Sequence, residues 1–217
     1  MKPIISCSEA ASKIKAGSSI MIGGFLAVGS PHGIIDALIA TGTDDLTVIA
    51  NDTGFPDRGI GRLIVNRQVA KAVASHIGTN PPTGEQMNAN ELIVDLVPQG
   101  TLAEQVRAAG AGLGGVLTPT GLGTVAQEGK EVLTVAGTDY ILAMPIKADV
   151  ALIKAHKADR AGNLVYRRSA RNFNPLMAMA ADLVLAEVEE IVEVGELDPD
   201  LVVTPGIFVD YLVREGE

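Results

Sequence analysis

The sequence has little cysteine and few aromatic residues: one cysteine (Cys7), no tryptophan and 3% aromatic residues in total. A single cysteine excludes an internal disulfide framework, so a reducing cytoplasm is the expected setting. No apolar run approaches the roughly 20 residues that a membrane-spanning helix requires. The apolar run at the N-terminus is also too short for a secretory signal. Because 47% of the residues are hydrophobic and only 3% are aromatic, the core is expected to be aliphatic. Together these features predict a cytoplasmic protein without membrane association.

Positive charge is also scarce. The 17 lysines and arginines face 26 acidic residues, which gives a net charge of −9. This balance argues against non-specific nucleic-acid binding, although it allows a local basic patch for an anionic ligand. His32, His76 and His156 are dispersed and have no ligand spacing to one another or to Cys7, so we expect no metal site. No nucleophile-elbow motif supports Ser-His-Asp catalysis.

Length and periodicity indicate one α/β domain over residues 1–217. A chain of 217 residues is long enough for one sizeable domain and short for two. Strand, loop and helix recur, which predicts an open, mostly parallel sheet with helices on both faces. The glycine-rich segment 110–129 is expected to be a long ordered loop. Predicted helices cover residues 8–16, 31–41, 84–90, 101–110 and 174–181. Predicted strands cover residues 20–22, 46–50, 69–75, 92–97, 131–136, 140–143, 150–155, 164–168 and 183–194.

Residues Ile20 to Pro31 combine a short apolar strand, a glycine loop and the start of a helix. Two glycines end the strand. Ser30 at the N-cap, Pro31 at the first helical position and Gly42 just past the end are the expected boundaries of a helix. Because loop amides and the helix dipole at such a junction favour an anion, we predict an anion-binding site here.

Two familiar phosphate-binding motifs fit this stretch incompletely. The dinucleotide pattern G-x-G-x-x-G fails because Gly23, Gly24 and Gly29 have the wrong spacing. The nucleotide P-loop is closer, since Gly24 and Gly29 are five apart and Ser30 follows. It lacks the lysine that would reach the terminal phosphates, which disfavours NTP hydrolysis. A tight strand-to-helix turn without a ligand is the alternative interpretation.

The run from Gly17 to Pro31 resembles the first signature of the family I coenzyme A transferases. That signature has Asp or Asn, Gly, two free residues, three aliphatic residues, Gly-Gly-Phe, three free residues, Gly, one free residue and Pro. Ala16 in place of Asp or Asn is the only departure. Segments 154–163 and 169–175 resemble the alpha subunit of the same family, so the resemblance covers essentially the whole chain. It implies a CoA-transferase/NagB-RpiA-like fold, with CoA as a co-substrate and no permanently bound cofactor. The implied CoA-binding residues are Gly24, Phe25, Leu26, Ala27, Val28, Gly29 and Ser30.

Asn51 and Gln99 are the candidate catalytic residues. Asn51 follows a predicted parallel strand at the carboxyl edge of the sheet, where ligands of open α/β sheets bind. Its amide could donate a hydrogen bond to a developing oxyanion, or it could simply form a turn with Asp52. The family resemblance favours the oxyanion role. Gln99 follows the strand at 92–97 at the same edge. It could donate to a carboxylate or thioester oxygen, or be a polar loop residue before a helix.

Seven of the 17 basic residues lie between residues 147 and 171. In an acidic chain this clustering could serve the phosphates of a nucleotide-like ligand or an acidic partner subunit. A solvated hairpin is the alternative. The seven residues are Lys147, Lys154, Lys157, Arg160, Arg167, Arg168 and Arg171.

The chain lacks the nucleophile that the family resemblance implies. In this family a glutamate of the beta half forms an acyl anhydride and then a glutamyl-CoA thioester, within a Ser-Glu-Asn-Gly-like motif. Glu128, in Gln127-Glu128-Gly129-Lys130, is the nearest candidate and lacks the Ser and the Asn. The resemblance therefore implies an alpha subunit that needs a beta subunit carrying the glutamate, with an α2β2 heterotetramer as the expected assembly.

The implied reaction moves CoA between an acyl-CoA and a short-chain carboxylate, most closely of the acetate/acetoacetate type. Transfer to 3-oxoadipate, or from succinyl-CoA to a 3-oxoacid, is the alternative within the family. A different class is also open: the same fold hosts sugar-phosphate isomerases and effector-binding sensor domains, and an anion-binding loop without a nucleophile would suit a sensor. The Gly-Gly-Phe signature fits CoA better than a sugar phosphate, so the transferase interpretation is preferred.

Overall fold

The computed structural model describes residues 1–216, which contain twelve strands and six α-helices. The strands are β1 (Ile4–Ile5), β2 (Ser19–Ile22), β3 (Leu46–Ile49), β4 (Val69–Ala74), β5 (Ile93–Leu96), β6 (Val116–Thr118), β7 (Val132–Val135), β8 (Thr138–Ala143), β9 (Ala148–Asp159), β10 (Leu164–Val165), β11 (Ala181–Val192) and β12 (Tyr211–Arg214). The helices are α1 (Cys7–Ala11), α2 (His32–Thr41), α3 (Gly61–Val65), α4 (Pro81–Asn88), α5 (Gln99–Gly110) and α6 (Asn174–Met179).

The main sheet is parallel along its whole length. Its strands lie in the order β1-β12-β11-β9-β2-β3-β4-β5, and each is parallel to its neighbour. Only β10 is antiparallel, as the return strand of a hairpin with β9. The predicted α/β class with a mostly parallel sheet is confirmed. The order of the strands reverses at β2, which lies between β3 and β9, and such switch points form crevices at the carboxyl ends of the strands.

Helices cover both faces of this sheet, as predicted. Ile20 and Ile22 of β2 point to one face, where they are fully buried in a cluster with α1, α2 and α3. Met21 points to the other face, in a cluster that includes Leu102 of α5 and Met177 of α6. This alternation follows from the pleat of the strand, which sends successive side chains to opposite faces. Both clusters are almost entirely aliphatic, in agreement with the low aromatic content.

A separate three-stranded antiparallel sheet has the order β6-β8-β7. The predicted hairpin around Gly137 is present as β7 and β8. The expectation that residues 110–129 form only a loop is wrong, because β6 lies within this segment and pairs with β8. Residues 183–194 contribute to one long strand, β11. The short strands β1, at the edge of the sheet, and β12, beside it, and the five-residue helix α3 were missed, since elements of this length carry no clear periodicity.

Several predicted helix boundaries are wrong for local reasons. The helix predicted from residue 8 begins at Cys7, and Ser6 caps it: Ser6 Oγ accepts the Glu9 amide at 3.2 Å, and Glu9 Oε2 accepts the Ser6 amide at 2.8 Å. The helix predicted from residue 101 is α5, which already begins at Gln99. The helix predicted from residue 84 is α4, which begins at Pro81, because proline is well suited to the first turn of a helix.

Asp149 joins the start of β9 to the start of β2. The Ser19 amide and hydroxyl donate to its Oδ2 at 2.8 and 2.7 Å. These hydrogen bonds, the backbone one first, hold the pKa of the Asp149 carboxyl below its ordinary value. A depressed carboxyl pKa stabilises the folded state above the unfolded pKa of about 4, and this contribution disappears as pH falls through the lower folded pKa.

We therefore expect Asp149→Asn to reduce the free energy of unfolding most at neutral pH. The deficit relative to wild type should shrink as the pH is lowered toward 3. Urea unfolding at several pH values measures this difference, with Asp57→Asn on an exposed turn as the control. A deficit that stays constant across the range would contradict the assignment.

No helix within residues 1–216 is both long and apolar enough to span a bilayer. In the same part of the chain, no group of three or more His, Cys, Asp or Glu side chains is arranged to hold a metal ion.

Candidate functional site

The glycine loop after β2 closes in a tight turn at the carboxyl edge of the sheet. The Phe25 amide donates to the Val28 carbonyl at 3.0 Å, and the Val28 amide donates back at 2.9 Å. Between them Leu26 and Ala27 adopt φ values of 47° and 68°. This left-handed backbone costs a non-glycine residue roughly 1–2 kcal/mol, so the surrounding contacts must hold the turn in place. Phe25 projects outward and is 51% exposed.

The interior of this loop is occupied by a carboxylate of the chain itself. Asp52, directly after Asn51, is 3% exposed. Its Oδ2 accepts the Leu26 amide at 2.9 Å and the Asn51 side-chain amide at 2.7 Å, and its Oδ1 accepts the Gly54 amide at 2.7 Å. Asp52 thus fixes the glycine loop, Asn51 and the next loop relative to one another. The sequence pattern had indicated only a turn at Asp52.

The N-terminus of α2 also binds a carboxylate of the chain itself. The Ile34 amide donates to Glu187 Oε2 at 2.9 Å, and Glu187 on β11 is fully buried. The prediction that Ser30 is the N-cap is wrong. Pro31 occupies that position without a side-chain cap, while the Ser30 hydroxyl packs so closely against Gly24 that a Cβ on Gly24 would lie 2.1 Å from it.

The buried Glu187 is neutralised by Lys154 of β9. Lys154 Nζ lies 3.1 Å from Glu187 Oε1 and 2.7 Å from Glu215 Oε1, and the Lys154 side chain is 8% exposed. Cys7 lies on the other side of the carboxylate, where burial and then the Glu187 charge raise the pKa of its thiol. The group is an internal charge cluster that joins β9 and β11 to the start of α2.

Asn51 and Gln99 are brought together at the carboxyl edge. Gln99 Nε2 donates to Asn51 Oδ1, and Ser75 Oγ contacts both Gln99 Oε1 and, at 2.7 Å, the Asn51 carbonyl. Asn51 is 2% exposed, whereas Gln99 is exposed. An amide nitrogen carries two hydrogens. Each of the two side chains therefore retains one N–H that could be donated to an oxygen of a bound molecule.

Ser75 is the last residue of a predicted strand, and the sequence pattern assigned it no role in the site. Its position was the one available signal: Asn51, Ser75 and Gln99 follow β3, β4 and β5, which are neighbours in the sheet. Residues at the carboxyl ends of adjacent parallel strands necessarily meet at one edge.

Two asparagines at the start of α6 clamp the glycine loop from the opposite side. Asn172 Oδ1 accepts the Gly24 amide at 3.1 Å, and its Nδ2 donates to the Val28 carbonyl at 2.9 Å. Asn174, fully buried, donates to the Gly29 carbonyl at 2.9 Å and accepts the Lys154 amide at 3.0 Å. The three contacts with the glycine loop span almost 150 residues of sequence, so no local pattern could have assigned them.

The clamp predicts a strong effect of Gly23→Ala. A Cβ at Gly23 would lie 1.8 Å from Asn174 Oδ1. Forcing an atom into a packed site costs roughly 1–3 kcal/mol, and we expect a loss of stability near the upper end, measured by urea unfolding. Gly84→Ala is the matched control: its Cβ would meet nothing within 4 Å inside α4, and helix propensity should make it neutral or slightly stabilising. Equal stability of the two variants would contradict the clamp.

A second loop with the same glycine spacing packs beside the first. In the segment from Gly54 to Gly59, the Arg58 amide donates to the Phe55 carbonyl at 3.3 Å, and the Arg58 guanidinium lies 4.7 Å from the centre of the Phe55 ring. A Cβ at Gly59 would lie 3.3 Å from that of Ala27. The shared pattern Gly-Phe-x-x-x-Gly was visible in the sequence and could have revealed the pair.

Most of the seven basic side chains of residues 147–171 form ion pairs within the chain. Five of them pair with acidic residues of β11 or of the segment just after it. Arg168 and Arg171 are the two without an ion-pair partner in residues 1–216. The pairs are Lys147 with Asp182, Lys154 with Glu187, Lys157 with Glu190 (2.7 Å), Arg160 with Glu193 (3.7 Å) and Arg167 with Glu189 (3.9 Å).

Comparisons with known proteins agree with this architecture. The family model described as "Coenzyme A transferase" matches residues 4–215. The chain is 55% identical over 214 residues to the alpha subunit of the acetate CoA-transferase of Escherichia coli (strain K12), covering 99% of this chain and 97% of the relative. It is 50% identical over 212 residues to the alpha subunit of the acetoacetyl-CoA:acetate/butyrate CoA transferase of Clostridium acetobutylicum, covering 98% and 97%.

Solved structures show the same fold. Acyl-CoA transferase from E. coli O157:H7 (YdiF), in a thioester complex with CoA, matches with a TM-score of 0.89 at 24% identity, covering 99% of this chain and 47% of the YdiF chain. Glutaconate coenzyme A-transferase from Acidaminococcus fermentans matches with a TM-score of 0.86 at 20% identity, covering 97% and 75%. The expected CoA-transferase fold is confirmed, and the chain spans about half the length of the YdiF chain.

Proposed function

Because this chain belongs to the coenzyme A transferase family, we propose that it is the alpha subunit of an enzyme moving CoA between an acyl-CoA and a short-chain carboxylate such as acetate. The observation that supports the acetate type is the 55% identity to the E. coli alpha subunit over nearly the whole of both chains. The reaction is acyl-CoA + acetate = fatty acid + acetyl-CoA, and it needs no permanently bound cofactor.

The residues at the carboxyl edge suit the first step of such a transfer. When a carboxylate attacks a thioester, negative charge develops on the thioester oxygen. Preorganised N–H donors lower the energy of that charge. We assign this role to the free N–H of Asn51, with Gln99 as a second donor to a thioester or carboxylate oxygen. Asp52 and Ser75 hold the two amides in place. The glycine loop from Gly24 to Ser30, beside this pair, would contact the CoA thioester.

The attacking carboxylate would come from a beta subunit. Within this chain Glu128 lies after a 3₁₀ turn and lines a cleft of about 740 Å³ with Lys71 and Asp95, and neither Asn51 nor Gln99 lines that cleft. It is therefore poorly placed to react with a thioester held by those amides. The names of both relatives include "alpha", which supports a separate beta subunit carrying the glutamate, in an α2β2 assembly.

Reconstitution tests this proposal directly. The purified chain should show no acetate-dependent CoA transfer, and addition of a beta subunit carrying the glutamate motif should restore it. Sedimentation of the mixture should give the mass of two copies of each chain. Full activity of the chain alone would contradict the two-subunit mechanism. Absence of CoA transfer by a stable complex would contradict the function itself.

The carboxylate substrate is tested separately. Similar relatives are named as subunits of a 3-oxoadipate CoA-transferase (49% identity) and of a succinyl-CoA:3-ketoacid coenzyme A transferase (47%). For the reconstituted enzyme we expect the highest kcat/KM with acetate or acetoacetate. A higher kcat/KM with 3-oxoadipate as the CoA acceptor, or with succinyl-CoA as the CoA donor, would reassign the substrate while leaving the reaction class intact. We also propose that residues 1–217 form one domain, which a single cooperative unfolding transition would support.

A further inference from the structure

Two places that the sequence suggested for an anion are filled by carboxylates of the chain. The Leu26 amide in the glycine loop binds Asp52, and the Ile34 amide at the start of α2 binds Glu187. A CoA thioester carries a pyrophosphate and a 3′-phosphate. If the glycine loop contacts this molecule, cationic groups near the loop have to meet those charges, because burial of phosphate against carboxylates is unfavourable.

Among the basic residues of 147–171, Arg168 and Arg171 are available for this purpose. The other five basic side chains of residues 147–171 pair with acidic residues of β11 or its flanks. Neither Arg168 nor Arg171 forms an ion pair within residues 1–216, and both are exposed. In a chain with a net charge of −9, two exposed arginines on one short turn, without ion-pair partners within residues 1–216, form a local excess of positive charge.

The turn that carries these arginines is fixed against the glycine loop. It is a 3₁₀ turn, Arg168–Arg171. Asn172 joins it to the loop by donating to the Ser169 and Val28 carbonyls at 2.8 and 2.9 Å. Asn174 does the same with the Ala170 and Gly29 carbonyls, at 2.8 and 2.9 Å. These hydrogen bonds fix the backbone of the turn that carries the arginines next to the glycine loop.

A cleft lies between the turn and the loop. It has a volume of about 280 Å³, and Val28, Gly29, Arg168 and Ser169 contribute to its lining. Glu189 is the acidic residue that also lines it, but its carboxylate is engaged by His156 Nδ1 at 2.7 Å and faces Arg167 at 3.9 Å. The cleft therefore opens next to Gly29 and has an unpaired arginine on its wall.

We propose that Arg168 and Arg171 bind the phosphate groups of the CoA thioester, with the cleft beside Gly29 receiving the part of the molecule that joins them to the thioester. This assignment rests on the proposed function. Arginine suits the role, because its planar guanidinium binds phosphate oxygens through two parallel hydrogen bonds and stays charged at all relevant pH values. The continuity of the cleft with the glycine loop favours a CoA phosphate over an acidic surface of the partner subunit.

The test compares two thioesters in the reconstituted enzyme. Acyl-CoA and the corresponding acyl-pantetheine share the reacting group, but only acyl-CoA carries phosphates. For the double variant Arg168→Ala/Arg171→Ala we expect the KM for acyl-CoA to rise roughly 10- to 100-fold, the loss typical of charged hydrogen bonds, with little change in kcat. The KM for acyl-pantetheine should stay at the wild-type value. Arg67→Ala, which removes an exposed arginine paired with Glu91, is the control and should change neither KM.

Three results would overturn the assignment. The first is an unchanged KM for acyl-CoA in the double variant, and the second is an equal rise for both thioesters. The third is dissociation of the variant complex on gel filtration, which would mean that the arginines bind the partner subunit. Calorimetric titration of the complex with CoA and with pantetheine gives a readout that does not depend on turnover. If wild type binds CoA more tightly than pantetheine and the double variant binds the two equally, the arginine site is supported even where no transfer activity is found. Failure of the arginine proposal and failure of the proposed function can therefore be told apart.

Discussion

Replacing Asn51 by alanine should lower the kcat of the reconstituted enzyme by roughly 10²–10³-fold, the loss measured when one preorganised oxyanion donor is removed. The side chain is 2% exposed, and Gln99 and Asp52 fix it on two sides. Its remaining N–H is therefore oriented before the substrate arrives. The KM for acyl-CoA should change little, because the charge that the amide stabilises develops mainly in the transition state.

The structure predicts a modest stability cost for the same variant. Loss of the hydrogen bonds to Asp52 and Gln99 should reduce the free energy of unfolding by about 1–2 kcal/mol, which leaves a folded chain for the assay. Asn88→Ala, on the exposed surface of α4, is the control and should retain full activity. If kcat stays within a few-fold of wild type while the complex is intact, Asn51 has no part in the mechanism.

Lys154→Met should reduce the free energy of unfolding by about 3–5 kcal/mol, the cost of leaving a buried charge without its partner. Lys154 is the cation of the internal charge cluster and pairs with two carboxylates, the fully buried Glu187 and the half-exposed Glu215. The methionine keeps the apolar length of the lysine stem, so packing changes little. What is lost is the positive charge next to a carboxylate that also binds the Ile34 amide.

A second substitution separates charge from packing. In Lys154→Met/Glu187→Gln the buried carboxylate is replaced by a neutral amide that can still accept the Ile34 amide, so most of the lost stability should return. Lys71→Met is the control, because the Lys71–Asp95 pair is 2.6 Å long but its side chains are 39% and 50% exposed. An exposed pair contributes at most about 1 kcal/mol. If the double variant is no more stable than Lys154→Met, the unpaired charge is not the cause.

The predicted binding of an external anion at the glycine loop stays a prediction, but the amides there do donate to negative charge. The Leu26 amide and the Ile34 amide at the start of α2 each donate to a carboxylate of the chain, in line with the strand-loop-helix pattern. The sequence could not show that Asp52 and Glu187 would supply the negative charge. Glu187 lies 153 residues after Ile34, and only the pairing of β11 beside β9 brings it under α2.

For the candidate pair Asn51 and Gln99, by contrast, positions in the sequence were enough to select both residues. The two residues were selected separately, each at the end of a predicted strand, and their contact followed once β3, β4 and β5 were neighbours in a parallel sheet. Ser75 and the asparagines at 172 and 174 were missed because their roles depend on backbone carbonyls and amides of distant segments. Such contacts leave no spacing signal in the sequence.

The sequence by itself determined the strand-loop-helix unit from Ile20 to Pro31, the α/β class and the family, because these depend on local periodicity, glycine spacing and a contiguous motif. Only the tertiary structure decided what the glycine loop binds inside the protein and which basic residues of 147–171 have no ion-pair partner among residues 1–216. Both depend on the order of the strands, which places β11 with its acidic residues beside β9. Hydrogen bonds and ion pairs act over a few ångströms, and strand order alone determines which distant residues come that close.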